Sequence, residues 1–246
     1  KATSARDMAE LMVGETLHIP TRDAKPSGAE LLSVKDIEFA PQNPFGTRLK
    51  NLSLTVKAGE VLGIGGVAGN GQDELLSVLS GEARAQSGSV TLEGKEVSKL
   101  GPNARRKLGL LTAPEERLGH AAAPNMSLIE NTALTAIIRK KLSKNNFINW
   151  SKTESFAKEI IKTYDVRTPS AAAAARSLSG GNLQKFVIGR EVMQDPKVLV
   201  VNQPTWGVDA SAAASIRQAL LDLAANGAAV ICISQDLDEL MEISDH

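Results

Sequence analysis

Between positions 197 and 234 the chain runs apolar, amphipathic, apolar, and that order constrains its fold more than any other feature. The segments 197–201 and 228–234 are continuous and rich in valine and isoleucine, as strands buried on both faces of a parallel sheet are. The intervening stretch at 211–226 is apolar at Ile216, Leu220, Leu221 and Leu223, and Gly227 closes it, which predicts a helix. Strand, helix and strand in sequence predict a right-handed βαβ unit. A further run, Val61-Leu62-Gly63-Ile64, leads through glycines into an amphipathic stretch at 72–79. The expected fold class is α/β with a mostly parallel core sheet.

Other segments have different periods. Stretches 31–39, 49–56 and 89–92 alternate with period two and are bounded by Lys57-Ala58-Gly59 and Glu93-Gly94-Lys95, which predicts an antiparallel β subdomain. The middle, from about 104 to 175, reads as helical. Ser127-Leu128-Ile129-Glu130 is a capping-box pattern opening a helix over 129–138. A second helix is expected over 151–164, and the alanine run 171–175 fits either a helix or a spacer. At the N-terminal end, 5–14 reads as a short helix with Met8, Leu11 and Met12 on one face, and 19–28, with two prolines, as a linker. A start at Lys1 and a stop at His246 just after a helical pattern read as a fragment of a longer protein.

Composition removes several classes of function. Lysine plus arginine equals aspartate plus glutamate, 28 each, so no net field steers the chain to nucleic acid or an anionic membrane, although local basic patches are compatible with that balance. No apolar stretch approaches the roughly 20 residues that span a bilayer, and 1–15 carries charges throughout, unlike a signal peptide. The single cysteine, Cys232, lies in an apolar run and reads as a buried, inert thiol. His18, His120 and His246 are too scattered for a metal site.

The segment Gly66-Val67-Ala68-Gly69-Asn70-Gly71-Gln72-Asp73 follows a buried strand and opens a helix, the setting in which backbone N–H groups cradle phosphate. Its glycines match the P-loop pattern, but Gln72 stands for the lysine that reaches the terminal phosphates and Asp73 for the hydroxyl that ligates Mg²⁺. A purely structural glycine turn is an alternative. So is a dinucleotide fingerprint at Gly63-Ile64-Gly65-Gly66-Val67-Ala68.

A second segment decides between these. Leu178-Ser179-Gly180-Gly181-Asn182-Leu183-Gln184-Lys185 precedes a helix expected through 185–193 and offers N–H groups and a hydroxyl at its start. It resembles the signature motif of ABC-transporter ATPases, in the asparagine form typical of sugar and nucleoside importers. The strand that follows ends in Asn202-Gln203-Pro204-Thr205, which resembles the Walker B region with amides in place of the Mg²⁺-binding aspartate and the water-positioning glutamate. Gly207-Val208-Asp209 resembles the D-loop with its aspartate intact, Trp206 stands where arginine is common, and Gln235 takes the place of a histidine that contacts the γ-phosphate. Ala113-Pro114-Glu115-Glu116-Arg117 replaces the segment where a switch glutamine is expected.

The resemblance covers 31–246 and is nearest to the second, degenerate ATPase domain of two-domain ATPases in simple-sugar and nucleoside importers. Gly69-Asn70-Gly71-Gln72, Asn202-Gln203-Pro204-Thr205 and the segment from Gln235 to Glu239 favour the nucleoside branch. It implies a C-terminally truncated ATP-binding domain over 31–246, with a helical subdomain at about 112–175. It also implies the tail of a preceding ATPase domain at 1–14 and a linker at 15–30. ATP and Mg²⁺ would sit mainly at the partner domain's site, completed by Leu178, Ser179, Gly180, Gly181 and Asn182. The implied partners are a second ABC ATPase domain in the same parent chain, transmembrane permease subunits and, indirectly, a substrate-binding protein, with no nucleic acid. The implied location is peripheral, on the cytoplasmic face of the inner or plasma membrane.

Four other residues have bland readings. Phe39 reads as core rather than as an adenine-stacking ring, Glu115 and Glu116 as a solvated pair with Arg117 as salt partner, and Trp150 as a packing anchor. Two other functions remain open from the residues: an autonomous P-loop ATPase or kinase, and a non-catalytic regulatory or scaffold protein with a vestigial nucleotide site.

Overall fold

In the computed structural model, which describes Thr21 and residues 28–246, the apolar runs become strands covered on both faces. The expected helix at 5–14 and most of the linker lie outside the described residues. The first half of the chain forms β1 (Glu30–Phe39), β2 (Leu49–Lys57), β3 (Val61–Gly65), α1 (Gln72–Ser80), β4 (Ser87–Leu92), β5 (Lys95–Glu96), α2 (Pro102–Leu108) and β6 (Leu110–Ala113). The second half adds α3 (Leu128–Ala136), β7 (Ser143–Lys144), β8 (Phe147–Ile148), α4 (Trp150–Thr163), α5 (Gly180–Val192), β9 (Val198–Asn202), α6 (Ala210–Ala225), β10 (Ala229–Ser234) and α7 (Leu237–Ile243).

Four parallel strands run in the order β3-β10-β9-β6, and four antiparallel strands in the order β2-β1-β4-β5. Because strand side chains alternate, the parallel sheet separates two cores. Leu111, Leu199, Val201, Val230 and Cys232 face one core with Phe186 and Val187 of α5 and Ile216 and Leu220 of α6. Leu110, Val198, Val200, Ile231 and Ile233 face the other, with Leu75 and Leu79 of α1 and Leu32, Val34 and Ile37 of the antiparallel sheet. Each such side chain contributes about 1.5–3 kcal/mol by leaving water, which accounts for the absence of polar alternation in these runs. Phe39 packs against the second core, as its bland reading expects.

The middle of the chain differs from the helical expectation. Leu110–Ala113 is the fourth parallel strand, paired with β9, and four residues are too short a run to distinguish from a helix by period. Ser143–Lys144 and Phe147–Ile148 form a hairpin whose turn residues, Asn145 and Asn146, are both left-handed, the conformation a two-residue turn of this kind requires. The capping box at Ser127 and Glu130 forms with both of its bonds. The alanine run is neither helix nor idle spacer. The Ala171 and Ala173 carbonyls accept from the Ile129 and Leu128 N–H groups, satisfying donors that the first turn of α3 leaves open.

Candidate functional site

Gly65 of β3, Ser234 of β10 and Asn202 of β9 end at one level, since Ser234 pairs with Gly65 and Ile233 with Asn202. The loops after these strands therefore gather outside the carboxyl edge of a parallel sheet, where open α/β folds bind ligands. Within 66–71, Gly69 and Gly71 are left-handed at φ 81° and 104°, so the tight turn into α1 depends on glycine.

Gln72 fills that turn. Its Oε1 accepts from the Asn70 N–H at 2.9 Å and its Nε2 donates to the Val67 carbonyl at 2.9 Å. The Asn70 amide donates to the same carbonyl at 3.0 Å, and the Thr47 hydroxyl donates to the Gly69 carbonyl at 2.6 Å. One N–H that a bound phosphate would draw on is thus already satisfied within the loop.

Asn202 donates from Nδ2 to Asp73 Oδ1 at 2.9 Å, and its own Oδ1 is buried without a hydrogen-bond partner. Gln203 is buried with φ 52°, a strained backbone for a residue with a β-carbon. Its N–H donates to the Ile233 carbonyl at 2.8 Å, and its Oε1 accepts from the Gln235 N–H at 3.3 Å. Glu115 lies close enough to feel Asp73. Its carboxyl is pushed up by burial first and by Asp73 next, with Arg117 opposing.

No carboxylate therefore stands at the end of β9, and Asp73 brings negative charge to the loop. Among the described residues no group of three His, Cys, Asp or Glu side chains could hold a metal ion. Two features bear on whether Mg²⁺–triphosphate could be held here: the buried Asn202 oxygen has no hydrogen-bond partner, and the Gln72 side chain takes up one loop N–H.

The second cluster has the opposite character. Ser179 caps α5, and its Oγ accepts from Asn182 Nδ2 at 2.9 Å. Asn182 Oδ1 accepts from the Arg167 N–H at 2.8 Å, which fixes the amide and leaves the serine hydroxyl hydrogen free to donate. Ser179 and Gly180 are exposed, and among the described residues the Gly180 and Gly181 N–H groups have no acceptor. A helix start with unused donors favours an anion. Asp209 caps α6 through the Ala212 N–H at 2.9 Å, and a β-carbon on Gly181 would lie 3.5 Å from Asp209 Oδ2.

Two residues that sequence reasoning missed organise these loops. Gln184 accepts from Arg117 Nε at 3.0 Å and donates to the Pro204 carbonyl at 2.9 Å, tying the signature helix to the end of β9. A β-carbon on Gly180 would sit 2.7 Å from Arg117 Nη1, so this glycine makes room for the guanidinium. Arg117 forms no close ion pair with Glu115 or Glu116 among the described residues, since its Nε goes to Gln184, but its charge still acts on the Glu115 carboxyl. Buried Glu239 accepts from Thr205 Oγ1 at 2.6 Å and Ser234 Oγ at 2.7 Å. In the sequence it is marked only as the end of the segment from Gln235 to Glu239; Asp236 caps α7 by accepting from the Glu239 N–H at 3.1 Å.

Cys232 is fully buried, and burial first and Glu239 second push its thiol up, as an inert thiol requires. Trp206 and Trp150 are exposed, at 59% and 51%. The second value corrects the reading of Trp150 as a packing anchor: Phe156, Ala157 and Ile160 carry the buried face of α4 instead.

A two-layer β framework with phosphate-type loops at the sheet's carboxyl edge and a serine-glycine helix start agrees with what the whole chain resembles. The sequence profile of the family described as ABC transporter matches residues 49–206, and the chain belongs to that family. It is similar to the guanosine import ATP-binding protein NupO of Bacillus subtilis, 37% identical over 245 residues that cover 99% of this chain and 48% of that protein. The nucleoside import ATP-binding protein NupA of Lactococcus lactis is 35% identical over 241 residues, 98% of this chain and 47% of that one. Among solved structures, a nucleotide-free ATP-binding cassette from an ABC transporter matches with a TM-score of 0.70 at 25% identity, covering 88% of this chain and 86% of that one. A dimeric bacterial ABC transporter cassette shares the fold, with a TM-score of 0.70 at 20% identity, over 86% of this chain and 91% of that one. The chain spans about half the length of the curated relatives it matches. No helix among the described residues is long and apolar enough to cross a membrane.

Proposed function

We propose that this chain is an ATP-binding domain of an importer for simple sugars or nucleosides, and that it closes a partner domain's nucleotide site rather than hydrolysing ATP at its own. One contrast carries the reading: loop 66–71 turns a donor inward onto Gln72, whereas Ser179, Gly180 and Gly181 hold theirs outward. The Ser179 hydroxyl and the Gly180 and Gly181 N–H groups donate to the γ-phosphate of ATP held by the partner, with Mg²⁺ at that site. Asp209, beside Gly181, belongs to the same contact surface. In this reading 31–246 is the ATP-binding domain with its helical subdomain at about 112–175, 15–30 a linker, and 1–14 the tail of a preceding ATPase domain in the parent chain. Transmembrane permease subunits and, through them, a substrate-binding protein complete the machine at the cytoplasmic face of the membrane. The names of the relatives support import of nucleosides or sugars.

The reading of the chain's own site is tested by equilibrium binding. The missing lysine contact and carboxylate-held metal forfeit charge-assisted bonds of about 1.5–3 kcal/mol each, so the chain is expected to bind ATP with a dissociation constant of about 1 mM or weaker and to show no turnover. Micromolar, Mg²⁺-dependent binding with measurable hydrolysis would mean an autonomous ATPase instead.

A further inference from the structure

Away from both motif clusters, charge and apolar exposure coincide at the β7–β8 hairpin and the start of α4. Residues 139–152 contain Arg139, Lys140, Lys141, Lys144 and Lys152 and no acidic residue, in a chain whose charges balance overall. Three of these cations are engaged, the weakest being Lys152, whose Nζ donates to the Lys141 carbonyl at 3.2 Å. Arg139 donates to the Gln194 carbonyl at 2.9 Å and the Asp195 carbonyl at 2.6 Å, and Lys140 pairs with Asp195 at 2.8 Å. Lys141, Lys144 and Lys152 are exposed and form no ion pair among the described residues. The acidic groups nearby are Asp195, held by Lys140, Glu154, paired with Lys158, and Glu159 one turn further along α4.

The apolar part is equally specific. Phe147 is 79% exposed and Trp150 51%. Lys144 and Phe147 are direct cross-strand partners, which places ammonium and ring side by side on one face. The hairpin is held rigid by its Asn145-Asn146 turn, by fully buried Leu142, and by the Asn149 N–H bond to the Leu142 carbonyl at 2.8 Å. A rigid tip of unpaired lysines with outward aromatic rings suits a membrane interface. There, lysines meet anionic headgroups and aromatic rings settle at headgroup level.

We propose that this hairpin is a membrane-contact element that seats the domain on an anionic phospholipid surface. Lys141, Lys144 and Lys152 face the phosphates, and Phe147 and Trp150 enter the interface. Membership of the transporter family and the proposed importer role place the chain beside a bilayer, and the proposal rests on that reading for its setting. Nucleic acid fits less well, because the cations whose side chains have no partner among the described residues are Lys141 and Lys144 at a short hairpin rather than a track of arginines.

The test is co-sedimentation of the chain with phosphatidylcholine vesicles with and without phosphatidylglycerol, in parallel with fluorescence in a Trp206→Phe background that leaves Trp150 as reporter. Expected are partition to the anionic vesicles only, weakening with salt, and a blue shift of Trp150 emission. Lys141→Gln with Lys144→Gln should weaken partition about thirtyfold, and Phe147→Ser should reduce both partition and blue shift. All the substitutions lie on exposed positions, and an unchanged melting temperature verifies the fold. Failure to partition at low salt, equal partition to neutral vesicles, or insensitivity to the lysine substitutions overturns the proposal. So does tighter binding to single-stranded RNA than to the vesicles. The assay needs neither ATP nor a partner domain, so its failure is distinguishable from failure of the importer reading.

Discussion

Replacing Ser179 by arginine is expected to abolish ATP hydrolysis and transport by the assembled transporter while leaving this chain folded. Ser179 is exposed at the N-terminus of α5, and its hydroxyl hydrogen is the one part of the group not engaged by Asn182. Removing a single preorganised donor from a developing negative charge costs on the order of 10²–10³ in rate, and an arginine there also fills the space the partner's phosphate would occupy. The structural cost is far smaller. Losing a serine cap costs about 1 kcal/mol, a minor share of the roughly 5–15 kcal/mol that holds a domain. Hydrolysis measured on the full transporter should therefore fall at least about a hundredfold with little change in melting temperature. On the proposed reading, in which the loop takes no part in turnover, a Gln72→Ala variant should hydrolyse at the wild-type rate. Unchanged hydrolysis in Ser179→Arg would mean that the signature segment touches no working site, and the scaffold reading would take its place.

The parts of this molecule that were legible in the sequence are those where one physical demand acts alone. Strands 198–202 and 229–234 announce themselves because burial on both faces excludes polar residues. The capping box at Ser127 and Glu130 is local and forms as read. The glycine loop is visible because Gly69 and Gly71 take left-handed backbones, and the serine-glycine helix start because the Ser179 side chain caps the helix. What stayed hidden depends on distant partners. Leu110–Ala113 becomes a strand only through its pairing with β9, and Arg117 Nε donates to Gln184, 67 positions away. Gln72 was read as a missing lysine. That it closes the loop it belongs to follows from the turn's geometry rather than from its identity. Trp150, expected inside, is half-exposed because the buried stripe of α4 begins at Thr153 and Phe156.

Replacing Glu191 by alanine should be among the most destabilising single changes in this fold, and the reason bears on how the signature segment is held. Glu191 is fully buried near the C-terminal end of α5. Arg190 Nε donates to its Oε1 at 2.9 Å, and Arg106 and Gln194 reach its Oε2, the latter at 3.2 Å. Burial alone would push this carboxyl up, but Arg106 and then Arg190 outweigh it and hold it below the usual carboxylate range. Removing it leaves Arg190, itself buried, without a charged partner among the described residues, held by the Asn131 carbonyl at 3.1 Å, the Ala121 carbonyl at 2.8 Å and the Phe186 ring. An uncompensated buried charge of this kind costs about 3–5 kcal/mol, which in urea denaturation should appear as a lowered midpoint. In a melt it should appear as a drop on the order of 10 °C. The sign of the pH dependence follows from the lowered value. Wild-type stabilisation by this group is complete above its unfolded pKa of about 4.3 and is lost as pH falls through the folded value. Glu191→Gln, which keeps the shape without the charge, should therefore show a shallower loss of stability in acid. Replacing Arg106, Arg190 and Glu191 together by apolar residues of similar volume should recover much of what alanine at 191 alone removes. A cost below about 1 kcal/mol for Glu191→Ala would mean the cluster is solvated rather than sealed. If the expected loss is seen, the same bonds that stabilise the core also lock the end of α5 to the carbonyls of Ala121 and Asn131, and so set where Ser179 points at its other end.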